Sequence, residues 1–301
     1  MNKMILLESC KLCPRECGIN RLEGKVGFCK SGSNIKISRA ALHKWEEPCI
    51  SGTNGSGAVF FSNCTLGCVF CQNHLISQEG VGKEVSISRL SEIFLELQEK
   101  GAHNINLVTA TQYVPQIVSA LDIAKKKGLN IPIVYNTSGY EKIETLKLLN
   151  GYVDVYIPDF KYFNNKFSIR YSNAKEYSTF AKKAIEEMVS QVGVPQFDEN
   201  SIMQKGVIVR HLMLPGLLFD SKKILDYLYK QYGDKIYISI MNQYIPLNKA
   251  NKYDEINRYL DNRHYDSLIN YAVKLGIKNA FIQDEGTNVE SYIPEFNGEG
   301  V

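Results

Sequence analysis

Strand-like and helix-like segments alternate along this chain from residue 57 to residue 284, and no other feature limits its fold as strongly. The apolar runs of strand length lie at 57–63, 104–110, 131–137, 153–161, 206–216 and 235–244, with a possible seventh at 278–284. Helical spacing separates them, at 87–101, 114–128, 140–151, 174–192, 221–233 and 265–276. Strands that are apolar on both faces predict a parallel sheet covered by helices. The strands are too few for a complete eight-stranded barrel, so a partial, open barrel or a doubly wound sheet is expected.

Polar side chains stand where the predicted strands end. In α/β proteins the loops at the carboxyl ends of parallel strands form the functional site. The candidates at these ends are Thr109, Thr111, Gln112, Asn136, Ser138, Asp159, Lys161, Arg210, His211, Asn242 and Gln243. We therefore expect one site built from several loops, together with the cysteine-rich loop that follows the first run.

Composition excludes several classes of protein. The 301 residues are 44% hydrophobic and 22% charged, with a net charge of +3, as in an ordinary globular protein. This balance does not favour nucleic acid or an anionic membrane as a partner. No apolar run reaches the roughly 18 residues that would span a bilayer, and the run "MILL" near the N-terminus is too short for a signal peptide. A cytoplasmic protein is expected.

All eight cysteines lie within the first 71 residues, at positions 10, 13, 17, 29, 49, 64, 68 and 71. Clustered cysteines in a reducing compartment indicate metal or redox chemistry rather than disulfides. The segment "CTLGCVFCQNH", residues 64–74, carries Cys64, Cys68 and Cys71. Three thiolates can hold three corners of an iron–sulfur cubane and leave its fourth iron open. A zinc site is the rival interpretation, with His74 as a fourth ligand.

A second group of cysteines precedes the barrel pattern. Cys10, Cys13, Cys17 and Cys29 have the spacing C-x2-C-x3-C-x11-C. This spacing predicts a small loop stapled by metal, either a structural zinc or an auxiliary iron–sulfur cluster. The isolated Cys49 is interpreted as a plain small residue. We therefore divide the chain into a cysteine-rich extension, residues 1–54, and a barrel with C-terminal β/α elements, residues 55–301.

The triad Cys64, Cys68 and Cys71, with Phe70 before its last cysteine, resembles the signature of the radical S-adenosylmethionine (radical SAM) enzymes. The stretch "CVFCQNH" further resembles the loop of glycyl-radical-enzyme activating enzymes, in particular pyruvate formate-lyase activating enzyme. The N-terminal "CKLCPRECGINRLEGKVGFC" is similar to homologues of that enzyme with unassigned substrate. The resemblance covers residues 55–250 and implies a partial (β/α)6 TIM-like barrel.

The resemblance also implies an activity. The three cysteines would hold a [4Fe-4S] cluster, and its reduced form would cleave S-adenosylmethionine to a 5′-deoxyadenosyl radical that abstracts hydrogen from an unknown substrate. The chain would then be an oxidoreductase-type enzyme with a one-electron donor such as flavodoxin or ferredoxin. Its substrate would be a small molecule, a peptide or a glycyl radical enzyme. The rival class is a non-catalytic iron–sulfur electron carrier or zinc protein, which would not need the long α/β body. No catalytic side chain is assigned.

The resemblance also implies which individual residues would contact S-adenosylmethionine. Phe70 would lie against the adenine, although a core aromatic is an equal interpretation. The family's Gly-Gly-Glu run is absent after the second strand, and Thr109, Thr111 or Gln112 would replace its contact to the methionine amino group. Asn136, Ser138, Asp159 and Lys161 occupy matching strand ends. The alternatives are a polar turn around Gly139 for the first two and a structural ion pair for Asp159 and Lys161. Arg210 is a candidate for a carboxylate or phosphate contact, with a salt bridge to a barrel acid as the alternative. His211 is interpreted as a core histidine.

Overall fold

The computed structural model describes residues 3–283 and 293–301, and in these residues it contains ten strands and nine α-helices. The strands are β1 Ile35–His43, β2 Ser56–Phe61, β3 Lys83–Val85, β4 Ile105–Val108, β5 Ile133–Thr137, β6 Val155–Pro158, β7 Gln196–Phe197, β8 Met203–Leu212, β9 Tyr237–Met241 and β10 Ala280–Ile282. The helices are α1 Pro48–Ser51, α2 His74–Ser77, α3 Ile87–Glu99, α4 Val114–Lys126, α5 Ile143–Lys147, α6 Asn165–Ser172, α7 Tyr177–Val192, α8 Leu218–Tyr232 and α9 Asn262–Leu275.

The strands form one sheet in the order β10-β9-β8-β6-β5-β4-β2-β1-β3, with β7 paired to β8. From β2 to β10 every neighbouring pair in this order is parallel, whereas β1 pairs antiparallel with β2 and β3. The predicted α/β fold with an open, mostly parallel sheet is confirmed. The possible seventh run forms β10, although Asp284, at the end of that run, lies outside the described residues.

The two faces of the sheet have different coverings because successive side chains on a strand point to opposite faces. Val59 and Phe61 of β2 belong to the large core that the long helices cover. Phe60, between them, packs in a separate small cluster with Val108. The Ser86 side chain begins α3 by accepting a hydrogen bond from the backbone N–H of Arg89 at 3.0 Å.

Residues 44–51, which we call the interior segment, lie on the face opposite the long helices. Ile50 and Cys49 pack against strand residues of β5 and β6 such as Val134 and Val155. Asn104 Nδ2 donates to the Ile50 carbonyl at 2.8 Å, so the far end of the segment lies at the amino end of β4. The interior segment therefore fills the amino end of the open barrel.

Residues 293–301 form a C-terminal tail along the part of β1 that β3 leaves unpaired. The backbone N–H of Ala40 donates to the carbonyl of Glu299 at 2.8 Å, and that of Gly298 donates to Ser38 at 3.0 Å. Phe296 packs edge-on against Phe60 with ring centroids 5.6 Å apart. The tail thus extends the sheet beyond β1 and covers part of its interior face.

A search of the described helices found none with both the length and the apolar composition needed to cross a bilayer.

Candidate functional site

A cavity of about 590 Å³ opens at the carboxyl ends of the parallel strands. The three cysteines of the predicted cluster line it together with most of the predicted strand-end residues. These residues are Cys64, Cys68, Phe70, Cys71, Thr109, Asn136, Ser138, Asp159, Lys161 and Arg210. The topology brings them together because β2, β4, β5, β6 and β8 are parallel neighbours whose carboxyl ends share one edge.

The cysteine loop presents three sulfur atoms that each have a hydrogen-bonding partner. The backbone N–H of Leu66 lies 3.3 Å from Cys64 Sγ, and the Ser172 hydroxyl donates to Cys68 Sγ at 3.0 Å. Cys71 Sγ lies 3.2 Å from the Ser77 hydroxyl. Hydrogen bonds to cysteine sulfur are a feature of iron–sulfur sites, where they adjust the reduction potential.

Burial raises the pKa of all three thiols, that of Cys68 to about 11, although Lys161 acts in the opposite direction on Cys68. Thiols in such a dry environment keep their protons unless a metal replaces them. Soft sulfur ligands facing a cavity that has room for a further ligand suit an iron–sulfur cluster with one open iron. The residues present therefore fit the predicted [4Fe-4S] group.

The rival zinc site would use His74 as its fourth ligand. His74 begins α2 and is not among the residues that line the cavity. Its Nε2 lies 4.0 Å from Glu79 Oε1. Within residues 3–283 and 293–301, no three His, Cys, Asp or Glu side chains converge closely enough to hold a single metal ion.

Asp159 and Lys161 form an ion pair on the cavity wall, with Lys161 Nζ 2.6 Å from Asp159 Oδ2. Burial alone would lower the pKa of Lys161, but Asp159 and the neighbouring Cys68 and Cys71 raise it above its ordinary value. The lysine therefore holds its positive charge beside the cysteine loop, where it can offset the negative charge of a thiolate-bound cluster.

Arg210 lines the cavity, but its guanidinium is already occupied by two carboxylates of the interior segment. Its Nε donates to Glu47 Oε1 at 2.8 Å, and its Nη2 bonds both Glu46 and Glu47. Burial acts to lower the pKa of Arg210, and the two glutamates raise it well above the ordinary value. The structure thus places Arg210 in the salt bridge that was the alternative to a cofactor contact.

Thr111 and Gln112 were predicted as cofactor contacts, and neither is among the cavity-lining residues. Gln112 Nε2 donates to the carbonyls of Ser62, Asn63 and Thr109, and so ties the end of β2 to the end of β4. Thr111 Oγ1 donates to Glu141 at 2.5 Å. Both side chains therefore stabilise the loops after β2 and β4 through hydrogen bonds outside the cavity. Of the three predicted replacements for the Gly-Gly-Glu run, Thr109 alone reaches the cavity, with a left-handed backbone φ of 61°.

Two supporting residues escaped the sequence analysis. The buried Glu141 accepts hydrogen bonds from the hydroxyls of Thr111, Thr137 and Tyr135, and burial raises its pKa to about 7. The hydroxyl of Tyr177 lies 2.8 Å from the Ser138 carbonyl and 2.9 Å from the Asp159 carbonyl. No local motif marks either residue, because both act through contacts between different strands.

The end of β1 and the interior segment contribute further residues to the cavity. His43, Trp45 and Glu46 line the cavity together with Gln243 and with Tyr244, whose ring packs against that of Phe70 in the cysteine loop. Burial lowers the pKa of His43, so its imidazole is neutral at pH 7. His211 is a core residue as expected, with Nδ1 2.8 Å from the Phe160 carbonyl and Nε2 2.8 Å from Ser221 Oγ.

The N-terminal cysteines have varied surroundings. Cys13 is buried, Cys17 is exposed, and Cys10 and Cys29 are half-buried. Burial raises the pKa of Cys13 to about 12, and the nearby Cys29 and Cys10 add to this increase. The backbone N–H of Phe28 lies 3.5 Å from Cys17 Sγ. The loop that carries these cysteines contacts the cysteine loop of the cavity through Arg15, which bonds the Thr65 carbonyl at 3.0 Å.

Comparisons with known proteins identify the class to which this fold and site correspond. Residues 58–228, more than half of the chain, match the family described as the Radical SAM superfamily. The chain therefore belongs to the radical SAM superfamily, whose members are enzymes that use a [4Fe-4S] cluster and S-adenosylmethionine. It is also 30% identical over 280 residues to the "Uncharacterized protein MJ0674" of Methanocaldococcus jannaschii, covering 90% of this chain and 76% of that protein.

Solved structures share the fold. SuiB of Streptococcus suis, bound to the precursor peptide SuiA, superposes with a TM-score of 0.52 at 15% identity, covering 75% of this chain and 47% of SuiB. SuiB bound to S-adenosylmethionine gives 0.52 at 16% identity, covering 74% of this chain and 48% of SuiB. The hydrogenase maturase HydG of Carboxydothermus hydrogenoformans gives 0.52 at 13% identity, over 79% and 55% of the chains. The chain spans about half the length of these proteins.

Proposed function

We propose that this chain cleaves S-adenosylmethionine reductively at a [4Fe-4S] cluster held by Cys64, Cys68 and Cys71. The observation that carries the proposal is that these three thiols share one cavity with the polar ends of β4, β5 and β6. When bound, the cluster supplies one electron that splits the sulfonium to methionine and a 5′-deoxyadenosyl radical, which removes a hydrogen atom from the substrate.

The side chains of the cavity have separate tasks in this proposal. Phe70, whose ring centroid lies 5.8 Å from that of Tyr244, offers an apolar aromatic wall for the adenine. Thr109, Asn136 and Ser138 offer hydroxyl and amide groups to the ribose and to the methionine amino and carboxylate groups. Asp159 and Lys161 hold a fixed pair of opposite charges near the cluster. These contacts orient the cofactor and leave the chemistry to it.

Apolar side chains line much of the same cavity and exclude water from the reacting atoms. They include Phe60, Leu66, Ile76, Leu212, Met241 and Ile245. A dry, apolar lining protects a carbon radical from reaction with the wrong partner. Glu46 of the interior segment and Arg210 of β8 form a salt bridge in the same cavity, and we assign the substrate to that side.

The substrate and the partners are proposed by class. The loop "CVFCQNH" favours a relative of the activating enzymes, with a glycyl radical enzyme as substrate, and a peptide or a small molecule is the alternative within the same reaction. The fold neighbour SuiB binds a precursor peptide, which makes a peptide a reasonable probe. A one-electron donor such as flavodoxin or ferredoxin would reduce the cluster. A reducing compartment such as the cytoplasm suits eight unpaired thiols.

The N-terminal extension, residues 1–54, is proposed to hold a second metal site at Cys10, Cys13, Cys17 and Cys29. Among residues 3–283 and 293–301 no three metal-binding side chains stand close enough to hold a metal ion, so either group would have to draw the four thiols together. A structural zinc would staple the loop, and an auxiliary iron–sulfur cluster would also relay electrons or bind substrate. Metal analysis of anaerobically purified chain separates the two. About one zinc per chain supports the staple, whereas iron well above the roughly four atoms of one cubane supports the second cluster.

The test of the proposed function is anaerobic reconstitution followed by dithionite reduction in the presence of S-adenosylmethionine. We expect 5′-deoxyadenosine and methionine to form in the wild type. The variant Cys64→Ala should lose this activity because one corner of the cluster lacks a ligand, while Cys49→Ala should keep it. Cleavage that survives Cys64→Ala would contradict the site assignment. A chain that takes up electrons but never cleaves the nucleoside would be an electron carrier.

A further inference from the structure

The hydroxyl of Ser172 donates to Cys68 Sγ at 3.0 Å, and both side chains are buried. Ser172 is the last residue of α6, more than 100 positions after the cysteine in sequence. Its hydroxyl lies 2.7 Å from that of Tyr162, which is also fully buried. Since Ser172 gives its own proton to sulfur, Tyr162 is the donor to Ser172. The result is a directed chain of hydrogen bonds from Tyr162 through Ser172 to Cys68.

The backbone at the end of α6 also holds the cysteine loop. The carbonyl of Tyr171 accepts from the N–H of Val69 at 2.8 Å, and that of Ser172 accepts from Gly67 at 3.3 Å. These bonds fix the loop between Cys64 and Cys71 against α6. The Ser172 hydroxyl therefore meets the sulfur of Cys68 at a position that the backbone sets.

Arg15, from the N-terminal cysteine loop, forms hydrogen bonds both to the loop that carries Cys68 and to the end of α6 that carries Ser172. Its Nε donates to the carbonyl of Thr65, its Nη2 to that of Ser172 at 3.4 Å, and its Nη1 to that of Asn173. The guanidinium carbon lies 3.7 Å from the ring centroid of Phe28. Arg15 stands between Cys13 and Cys17, and Phe28 stands next to Cys29. Arg15 thus connects the second cysteine group with the loop that holds the first.

We propose that Ser172 and Arg15 are positioning residues that set the reduction potential of the cluster at Cys64, Cys68 and Cys71. A hydrogen bond to sulfur favours the reduced cluster, because it draws electron density from the thiolate, and so it raises the reduction potential. Arg15 acts through Ser172 by holding the end of α6 against the loop. The N-terminal cysteine loop is then part of the cluster's environment. This inference rests on the proposed function.

A redox titration followed by electron paramagnetic resonance of the reduced cluster tests the role of Ser172. In Ser172→Ala the ratio of reduced to oxidised cluster at a fixed applied potential should fall about tenfold, which for a one-electron couple is about 59 mV. Tyr162→Phe should give a smaller shift in the same direction, and it serves in place of Ser172→Ala if that variant does not fold. Ser168→Ala is the matched control, because the buried Ser168 hydroxyl of the same helix donates to the carbonyls of Asn165 and Ala174 and to no sulfur.

Arg15→Lys tests whether Arg15 acts by position or by charge. Lysine keeps the positive charge and loses the fork that reaches three carbonyls, so we expect the ratio to fall as in Ser172→Ala. The double variant should shift no further than Ser172→Ala alone. Wild-type ratios in Ser172→Ala and Arg15→Lys, or additive shifts in the double variant, would overturn the inference. If Cys68→Ala still forms the same cluster, the proposed function fails as well. If the Ser172→Ala and Arg15→Lys variants cleave S-adenosylmethionine and keep the wild-type reduction potential, the inference alone is overturned.

Discussion

At the scale of single residues, His211 gives the fold a dependence on pH. Burial lowers the pKa of this histidine from 6.5 to about 4. An unfolded chain takes up a proton on His211 near pH 6.5, whereas the folded chain resists protonation down to about pH 4. The stability from the neutral imidazole is therefore complete above pH 6.5 and is lost as the pH falls towards 4.

When the pH falls from 7.5 to 5, we expect proton uptake by His211 in the unfolded chain to lower the free energy of unfolding by about 2 kcal/mol. The variant His211→Gln should lose this part of the pH dependence, whatever its effect on stability at pH 7.5. Denaturant unfolding at the two pH values measures the difference. His264→Gln, on the exposed part of α9, is the control and should leave the difference as in the wild type. An equal loss in wild type and His211→Gln would contradict the assignment.

Arg210 shows where residue-level prediction from sequence stops. Its place at the carboxyl end of β8 was predictable from the apolar run before it, and the structure does bring it to the cavity. Its partners were not predictable, because Glu46 and Glu47 lie 164 and 163 positions earlier, in a segment without strand or helix periodicity. The cysteines are the opposite case, since their spacing within one loop is itself the signal.

At the scale of elements, the loop after β5 approaches the end of β6 so closely that only glycine fits. Gly139 has a φ of 74°, and a Cβ there would lie 2.1 Å from the Asp159 carbonyl oxygen. Gly151 has a φ of 79° and no heavy atom within 4 Å of that position. Alanine costs roughly 1–2 kcal/mol at either position because of the left-handed backbone. Of the two positions, only Gly139 would bring a Cβ against the backbone of Asp159, the residue that follows β6.

Gly139→Ala should therefore weaken the binding of S-adenosylmethionine about tenfold or more, equivalent to roughly 1.4 kcal/mol, because it displaces Asp159 and its partner Lys161. Gly151→Ala should bind within about twofold of the wild type while losing similar backbone stability. Equilibrium dialysis of the reconstituted chains measures both. Equal affinities in the two variants would show that the close approach does not support the site.

Strands and helices were predicted correctly where a regular pattern of apolar residues extended through one continuous segment. The parallel strands and most helices between them follow the predicted runs, and α3 and α4 both begin at the first residue of theirs, whereas α6 and the two-residue β7 were not predicted. The strands β1 and β3 were missed, because β1 lies in a cysteine-rich segment and β3 has three residues. Both pair antiparallel at one side of the sheet, and the polar residues Lys36, Ser38 and Arg39 interrupt the apolar pattern of β1.

At the scale of the whole molecule, the C-terminal tail protects an edge of the sheet. The tail satisfies backbone groups of Ser38 and Ala40 that an uncovered β1 would expose. A chain ending at residue 292 should therefore be less stable and more prone to self-association. Thermal unfolding and light scattering measure the two effects. Glu299→Gln, which removes only the half-exposed ion pair with Arg39, is the control and should change stability by less than about 1 kcal/mol.

The open barrel as a whole was predictable, and the way in which its ends are closed was not. Strand order follows from short crossovers between neighbouring parallel strands, which the alternating pattern encodes. The interior segment and the tail instead depend on contacts between distant parts of the chain, such as that of Arg39 with the carbonyl of Glu295, 256 positions away. Such contacts have no local signature.

The interior segment has a kinetic consequence. Since it fills the amino end of the barrel, we expect ligands to enter the cavity from the carboxyl edge of the sheet. The ligand that binds deepest in the cavity has to bind before the second ligand. It can dissociate only after the second ligand has left. Turnover would then be compulsorily ordered, with the last ligand in also the first one out.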